Sequence, residues 1–213
     1  MKLYNFLRGS TSHRLRIALN LKGMRSHYVP VDLRSEVHLA SAFRTLNPQG
    51  LVPAQRLDDG RASTQSPAII EWLEERYPSP ALLPSDPDER AHVRALVALI
   101  GCDIHPINNR RVLEYFRKRF GADECTVGAL CRTWITGGLD ALEVMLQADP
   151  TRHGFCFGCS PTVADVYLVP QVESARRFGI DVGRWPAIKA VDASCQQLES
   201  FRLAAPALQT DAL

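Results

Sequence analysis

Three consecutive hydroxyl side chains, Ser10, Thr11 and Ser12, form the first group in this sequence that could do chemistry. They follow a short apolar segment and precede residues 13–22, where apolar side chains recur at helical spacing. Hydroxyls and backbone N–H groups at a helix N terminus lower the pKa of a nearby thiol from its usual value of about 8.5. The cluster could therefore stabilise a thiolate through Ser10 or Thr11, while at least one of the three hydroxyls is expected to cap the helix.

A second polar group, Gln65 and Ser66, stands directly before Pro67 and a helical stretch that runs to Tyr77. A serine followed by proline is typical of a helix start, because serine caps the free N–H groups and proline fits the first turn. The N–H groups and the dipole of such a start bind carboxylates. Ser66 could cap this helix, bind an anion, or do both.

A third group lies in the second half of the chain, where His105 and Asn109 are four residues apart and share one helix face, with Asn108 beside them. So much polarity next to the apolar Ile104 indicates the lining of a site. A solvated helix face is the alternative, and it is the better interpretation for Arg111.

Three arginines accompany these groups. Arg8 lies just before the hydroxyl cluster, Arg110 follows Asn109, and Arg177 lies at the end of another helical stretch. Arginine offers paired N–H donors that match the geometry of a carboxylate. The set therefore suits a small-molecule substrate that carries two carboxylates.

The six cysteines form no disulfide framework, and the CxxC pair at 156–159 has no second pair to complete a zinc site. A redox CxxC would be expected early in the chain, between a strand and a helix. We therefore expect no metal and interpret these residues as reduced loop cysteines of a cytoplasmic protein.

The composition excludes several classes of protein. The chain has 213 residues, 46% of them hydrophobic and 23% charged, as in ordinary globular proteins. Its 25 basic and 23 acidic residues are too evenly balanced to indicate nucleic-acid binding. No apolar stretch is long enough to span a bilayer, and Arg8 interrupts what would be the apolar part of a signal peptide. These features again predict a cytoplasmic location.

The first eighty residues alternate between strand and helix patterns in the order β-α-β-α-β-β-α. Residues 58–60, Asp-Asp-Gly, are a turn signal that joins the last two strands as an antiparallel hairpin. The predicted elements are a strand at 2–6, a helix at 13–22, a strand at 27–31, a short helix at 39–46, strands at 52–57 and 61–64, and a helix at 67–77.

Prolines at 78, 80, 84 and 87 then mark a linker, beyond which the pattern is helical. Gly101 and Pro106 are the expected bends in a helix at 88–120, and Thr162 with Asp165 predicts a capping box. The remaining predicted helices are 124–148, 163–178 and 186–201, followed by a frayed tail from residue 203. We therefore expect domains at 1–80 and 88–213.

The motifs together resemble the zeta class of the cytosolic glutathione transferase superfamily, over nearly the whole chain. The matching segments are RGSTSHRLRIALNLKG (8–23), NPQGLVPA (47–54), TQSPAIIEWLEERYP (64–78), GCDIHPINNRRVLEY (101–115), PTVADVYLVPQVESARRF (161–178) and WPAIKAVD (185–192). Two departures stand out: Thr11 replaces the usual cysteine, and Gly9 replaces the first serine of a pair.

The resemblance implies an α/β plus all-α protein, with a thioredoxin-like glutathione-binding domain followed by a glutathione-transferase helical domain. It implies a cis Val52–Pro53 bond, with the Val52 backbone pairing with the cysteinyl part of glutathione. The implied glutathione contacts are Thr11, His38, Gln49, Val52, Pro53, Gln65, Ser66, His105 and Asn109. The implied catalytic residues are Arg8, Ser10, Thr11 and Arg177, and the implied substrate-binding residues are Arg8, Arg110 and Arg177.

The activity that the resemblance implies is glutathione-dependent cis–trans isomerisation of maleylpyruvate to fumarylpyruvate, as in the breakdown of aromatic compounds. The thiolate would add to the cis double bond, the resulting single bond would rotate, and elimination would return the trans product. Relatives that act on maleylacetoacetate often carry leucine at the position of Arg110, which favours maleylpyruvate here. The alternatives are maleylacetoacetate isomerisation, conjugation of electrophiles, and a non-catalytic protein that retains the fold. Family members are usually homodimers, although the sequence has no dimer signal of its own.

Overall fold

The computed structural model describes residues 1–211, which pack into two units. Unit 1 comprises Met1–Leu82 together with the chain from Gln196 onward, and unit 2 comprises Leu83–Cys195. The sequence-based division into residues 1–80 and 88–213 differs from these units, because it assigns the C-terminal segment to the helical domain. In the part of the chain that is described, none of the helices is long and apolar enough to cross a membrane.

Unit 1 is built on a four-stranded sheet with the strand order β2-β1-β3-β4. β1 pairs with β2 in parallel, β3 runs antiparallel to β1, and β4 closes an antiparallel hairpin with β3. The predicted β-α-β-α-β-β-α order is therefore confirmed. The strands are β1 (Lys2–Asn5), β2 (His27–Pro30), β3 (Ala54–Arg56) and β4 (Ala62–Thr64), and the helices between them are α1 (Ser10–Leu21), α2 (Ser41–Arg44) and α3 (Ser66–Arg76).

The side chains of β1 alternate between the two faces of the sheet, as a strand requires. Tyr4 packs edge-on against Phe43 of α2, with ring centroids 6.2 Å apart, in a core that includes Val31 and Ala54. Leu3 points to the opposite face and is buried, and α1 and α3 pack against each other. The packing around β1 fixes the positions of the loop that follows β1 and the loop that precedes β3.

A buried lysine, Lys22, joins the end of α1 to the end of α3. Its ammonium group lies 2.6 Å from Glu74 Oε2 and donates to the carbonyl oxygens of Tyr77 and Pro80 at 2.7 and 2.6 Å. Three acceptors satisfy the three N–H donors, which is the condition for burying this charge. The proline-rich segment after α3 is thereby attached to α1.

The C-terminal segment also packs on α1. The prediction of a frayed tail from residue 203 is therefore wrong for residues 203–211. Arg16 is buried and donates to the carbonyl of Ala204 at 2.8 Å, and Tyr28 donates to Asp211 at 2.7 Å. The last two residues of the expected tail lie outside the described residues. The predicted helix at 186–201 is also divided, because Leu198 takes an extended conformation between two helices.

Unit 2 is helical, and its first predicted helix is interrupted as Gly101 and Pro106 suggested. A six-residue π-helical segment (Leu99–Ile104) follows the first helix, and Gly138 of the long central helix lies against it. A Cβ at Gly138 would lie 2.3 Å from Ile104, so only glycine permits this approach. The helices are α4 (Pro87–Ala98), α5 (Arg110–Phe120), α6 (Glu124–Ala148), α7 (Val163–Arg177) and α8 (Pro186–Gln197), and α9 (Glu199–Arg202) follows.

Candidate active site

The hydroxyl cluster lies in the first turn of α1, directly after the loop that ends β1. Gly9 is the N-cap and α1 begins at Ser10, so none of the three hydroxyls occupies the capping position. Ser12 is fully buried and accepts the Phe6 N–H at 3.2 Å, which gives it a structural role. Ser10 and Thr11 remain half-exposed. The first-turn N–H groups and these two hydroxyls form an anion-stabilising helix start.

The absence of a serine side chain at Gly9 has a steric reason. A Cβ at this position would lie 3.2 Å from Ser12 Oγ and 3.3 Å from the Phe6 carbonyl oxygen. Both contacts are tighter than ordinary van der Waals packing. Glycine therefore lets the chain turn closely into α1.

Thr11 connects the start of α1 to the loop before β3. Its hydroxyl donates to the carbonyl of Val52 at 3.1 Å, and the Val52–Pro53 peptide bond is cis, as the family resemblance implied. Pro53 is buried while Val52 is half-exposed. The structure thus brings Thr11, Val52 and Pro53 together, three of the residues expected to contact glutathione.

The start of α3 forms the second part of the site in unit 1. Gln65 has a φ of 69°, an unusual backbone conformation for this residue type, and α3 begins at Ser66. Ser66 is 2% exposed, and its hydroxyl has no hydrogen-bond partner among residues 1–211. A buried hydroxyl without a partner beside a helix N terminus is suited to a carboxylate.

Gln49 joins this group from the loop before β3. The Gln65 side-chain amide donates to Gln49 Oε1 at 2.5 Å, and Asn47 holds the loop by donating to the Leu51 carbonyl at 2.7 Å. Gly50, with a φ of 61°, lies against the backbone of His38, where a Cβ would be 2.9 Å from the carbonyl oxygen. His38, Gln49 and Gln65 are therefore positioned by one compact loop arrangement.

In unit 2 the expected polar residues follow the π-helical segment. Asn109 is the N-cap of α5, and its side-chain oxygen accepts the Arg111 N–H at 3.1 Å. Asn109 therefore has a structural role besides any contact with a ligand. The neighbouring Asn108 has a buried side-chain nitrogen without a partner among the described residues. The sequence pattern includes Asn108 in the polar group that could line a site, without a specific role for its side chain.

Arg110 begins α5 and stands at the end of a chain of ion pairs. Its guanidinium is 3.9 Å from Glu114, and Arg117 contacts Glu114 at 3.1 Å and Glu124 at 2.6 Å. The hydrogen bond from Arg117 lowers the pKa of Glu124. Arg110 shares Glu114 with Arg117, and because its side chain is 45% exposed its guanidinium remains accessible to an anion.

The two consecutive arginines at the end of α7 are used differently. Arg176 forms an ion pair with the buried Asp192 at 2.5 Å. Arg177 is exposed and donates to the buried Ser174 hydroxyl at 3.2 Å. Gln171, on the same helix, is fully buried and neither its oxygen nor its nitrogen has a partner in residues 1–211. The sequence pattern predicts Arg177 as a site residue. It does not single out Gln171, because the residues around it are apolar and typical of a helix core.

The cysteines of the CxxC sequence have opposite environments. Cys156 is buried and Cys159 is exposed, and burial raises the pKa of Cys156, as it does those of Cys131 and Cys195. A thiol that resists ionisation is a poor nucleophile. Among residues 1–211, no group of three or more His, Cys, Asp or Glu side chains could hold a metal ion.

We expect a thiol reagent at pH 8 to modify Cys102, Cys125 and Cys159 quickly, because these are the exposed cysteines in the described chain. Cys131, Cys156 and Cys195 are expected to react only after unfolding. Iodoacetamide labelling followed by peptide mass spectrometry, with and without urea, measures this. Labelling of Cys156 as fast as Cys159 in the native protein would contradict the burial described here.

The fold and the anion-binding helix starts define a glutathione transferase, and the sequence agrees. Residues 9–76 match the family model described as glutathione S-transferase, N-terminal domain. The chain is also 62% identical to a solved maleylpyruvate isomerase described as a bacterial glutathione S-transferase in the zeta class, with a TM-score of 0.98 and complete coverage of both chains. The chain belongs to the zeta class of the glutathione transferase family.

Within this family, two curated relatives show how far the similarity extends. The chain is 63% identical to maleylpyruvate isomerase of Ralstonia sp, over 99% of each chain. It is 47% identical to maleylacetoacetate isomerase of Pseudomonas aeruginosa, over 99% of this chain and 98% of that one. A maleylacetoacetate isomerase of Methylobacterium extorquens, solved with malonate and glutathione bound, is 33% identical, with a TM-score of 0.97 and complete coverage of both chains.

Proposed function

We propose that this chain is a glutathione-dependent isomerase that converts maleylpyruvate to fumarylpyruvate. The observation that carries the proposal is the 63% identity to the Ralstonia maleylpyruvate isomerase over 99% of each chain. Arginine at position 110 supports the choice of maleylpyruvate, because the family resemblance implies leucine there in many enzymes that act on maleylacetoacetate.

The residues of unit 1 fit glutathione as the cofactor. Glutathione carries two carboxylates and a thiol, and unit 1 offers the unpartnered Ser66 hydroxyl at the start of α3 and the hydroxyl cluster at the start of α1. Related solved structures contain bound glutathione. We assign to glutathione the residues expected from the resemblance, which are Thr11, His38, Gln49, Val52, Pro53, Gln65, Ser66, His105 and Asn109.

Bound glutathione supplies a thiolate that can add reversibly to the cis double bond of the substrate. The first-turn N–H groups of α1, with Ser10 and Thr11, stabilise negative charge at the helix start. Arg110 and Arg177 bind carboxylates and, with Arg8, offset negative charge that develops during the reaction. The arginines act as fixed positive charges, and the hydroxyl and N–H groups act as hydrogen-bond donors. None of these groups needs to change its own protonation state.

We expect Thr11→Ala to raise the lower pKa of the kcat/KM profile by about one unit, the effect of losing one donor to a thiolate. Ser12→Ala is the matched control, because Ser12 is buried and accepts a hydrogen bond from Phe6; it is expected to lower stability and leave the profile unchanged. The measurement is the pH dependence of kcat/KM with saturating glutathione. An unchanged profile for Thr11→Ala would assign the role to Ser10 or to the helix N–H groups.

We expect Ser66→Ala to raise the KM for glutathione about tenfold, since a hydrogen bond to a charged group contributes about 1.5 kcal/mol. The kcat value is expected to change less than about twofold because Ser66 holds a non-reacting part of glutathione. Ser63→Ala, on the preceding strand, is the control. A loss of kcat with an unchanged KM would contradict this assignment.

The direct test is isomerisation of maleylpyruvate and, separately, of maleylacetoacetate by the purified protein, each with and without glutathione. Strict dependence on glutathione and faster turnover of maleylpyruvate would support the proposal. Faster turnover of maleylacetoacetate would favour the second candidate, which the 47% identity to the Pseudomonas enzyme supports. Conjugation of electrophiles without isomerisation would refute both.

We further propose a cytoplasmic homodimer, as the family resemblance implies.

A further inference from the structure

The outer face of α5 carries three exposed cations around an exposed aromatic ring. Arg111, Tyr115 and Lys118 lie at positions i, i+4 and i+7 of the helix, and Arg119 is four residues beyond Tyr115. Tyr115 is 57% exposed. We call Arg111, Lys118 and Arg119 the α5 strip.

The charges of the α5 strip are uncompensated, unlike those of its neighbours on the same helix. Arg117 is paired with Glu114 and Glu124, and Arg110 lies near Glu114. No ion pair to the three residues of the α5 strip is present within residues 1–211. The whole chain has a net charge of only +2, so three unpaired cations on one helix face are a local concentration of charge.

Helix stability does not explain the whole strip. Lys118 and Arg119 occupy the last turn of α5, where positive charge interacts favourably with the helix dipole. Arg111 lies in the first turn beside Arg110, where positive charge is unfavourable, and this turn contains no acidic residue. The positive charges of these two arginines therefore lower the stability of the helix start, and helix stability does not account for them.

We propose that the α5 strip attracts the doubly charged substrate toward Arg110 by long-range electrostatics and so favours dianions over monoanions. The inference rests on the proposed function. A helix of 11 residues is about 16 Å long, so the strip lies within about one to two Debye lengths of Arg110 at 0.1 M salt. Its field acts on an approaching anion and needs no contact with the bound one.

The test replaces the strip with neutral side chains of similar length, in the triple variant R111Q/K118Q/R119Q. At about 10 mM ionic strength we expect kcat/KM for maleylpyruvate to fall about fivefold, and at about 0.5 M to match the parent, because salt screens charges at this range. For a monoester of the substrate, with one negative charge, the fall is expected to be about twofold. The kcat value is expected to stay the same for both.

The matched control, R56Q/K189Q/R202Q, removes three exposed cations from other elements and changes the net charge equally. We expect it to leave kcat/KM within about 1.5-fold at low salt, since its charges lie on β3, α8 and α9 and not on the helix that begins with Arg110. Equal losses in both triple variants, or a loss that persists at high salt, would overturn the proposed attraction. Failure of the parent protein to isomerise maleylpyruvate would instead refute the proposed function.

Discussion

Asp165→Ala is expected to lower the free energy of unfolding by about 3–4 kcal/mol, among the largest losses for a single substitution in unit 2. The carboxylate is fully buried and accepts the Cys156 N–H at 2.8 Å and the Thr162 N–H at 2.7 Å. It also accepts the Thr162 hydroxyl at 3.0 Å. Removing it leaves two buried backbone donors without acceptors, and each unsatisfied donor costs about 1–3 kcal/mol.

Urea unfolding followed by circular dichroism measures this loss, and Asp123→Ala is the matched control. Asp123 also caps a helix, accepting the Thr126 N–H at 2.8 Å, but its surroundings are solvent-exposed. A solvent-exposed cap contributes less, because water replaces the lost acceptor. Similar losses in the two variants would show that the burial of Asp165 adds nothing to its capping role.

The second large effect is expected at Arg177. Arg177→Leu should lower kcat/KM for maleylpyruvate by about 100-fold, because charge-assisted hydrogen bonds from arginine to a carboxylate contribute about 1.5–3 kcal/mol. The KM for glutathione should change by less than about twofold. Steady-state kinetics with each substrate varied in turn separates the two effects. Equal losses for both substrates would contradict a specific role in binding the dicarboxylate.

Arg176→Leu is the neighbouring control for this variant. Arg176 pairs with Asp192, which is 3% exposed, so its removal leaves a buried carboxylate without its partner. We expect a loss of stability with kcat/KM close to that of the parent. If Arg176→Leu reduced turnover as strongly as Arg177→Leu, the two arginines would not have the separate roles that the structure indicates.

Local signals explain why most of the fold could be predicted from the sequence. Thr162 and Asp165 are a capping box in the structure, as their spacing indicates, because the motif needs only four neighbouring residues. The sequence pattern predicts the start of α1 at residue 13, three residues late, because Gly9 caps the helix without a side chain. The break at Leu198 and the packing of Ala204 on Arg16 depend on distant contacts, which periodicity does not contain.

The sequence predicts which types of residue form the candidate site. It does not predict how their side chains pair or how deeply they are buried. The helix start at Ser66 is visible in the sequence, because a serine followed by a proline marks it. The pairing of Gln65 with Gln49 and the complete burial of Ser66 result from a loop that folds back, and only the structure shows them. The family resemblance supplied His38 and Gln49, for which the residues alone had no signal.

Threonine in place of the usual cysteine at position 11 has a consequence for which thiolate meets the substrate. A cysteine in the first turn of α1 would ionise readily, because the helix start stabilises its thiolate. Maleyl compounds are electrophiles that add to thiolates, so such a cysteine would compete with the thiolate of glutathione for the substrate. The Thr11 hydroxyl does not ionise near neutral pH and keeps its bond to Val52. With threonine at this position, the thiol of glutathione is the group at the start of α1 that can react with the substrate.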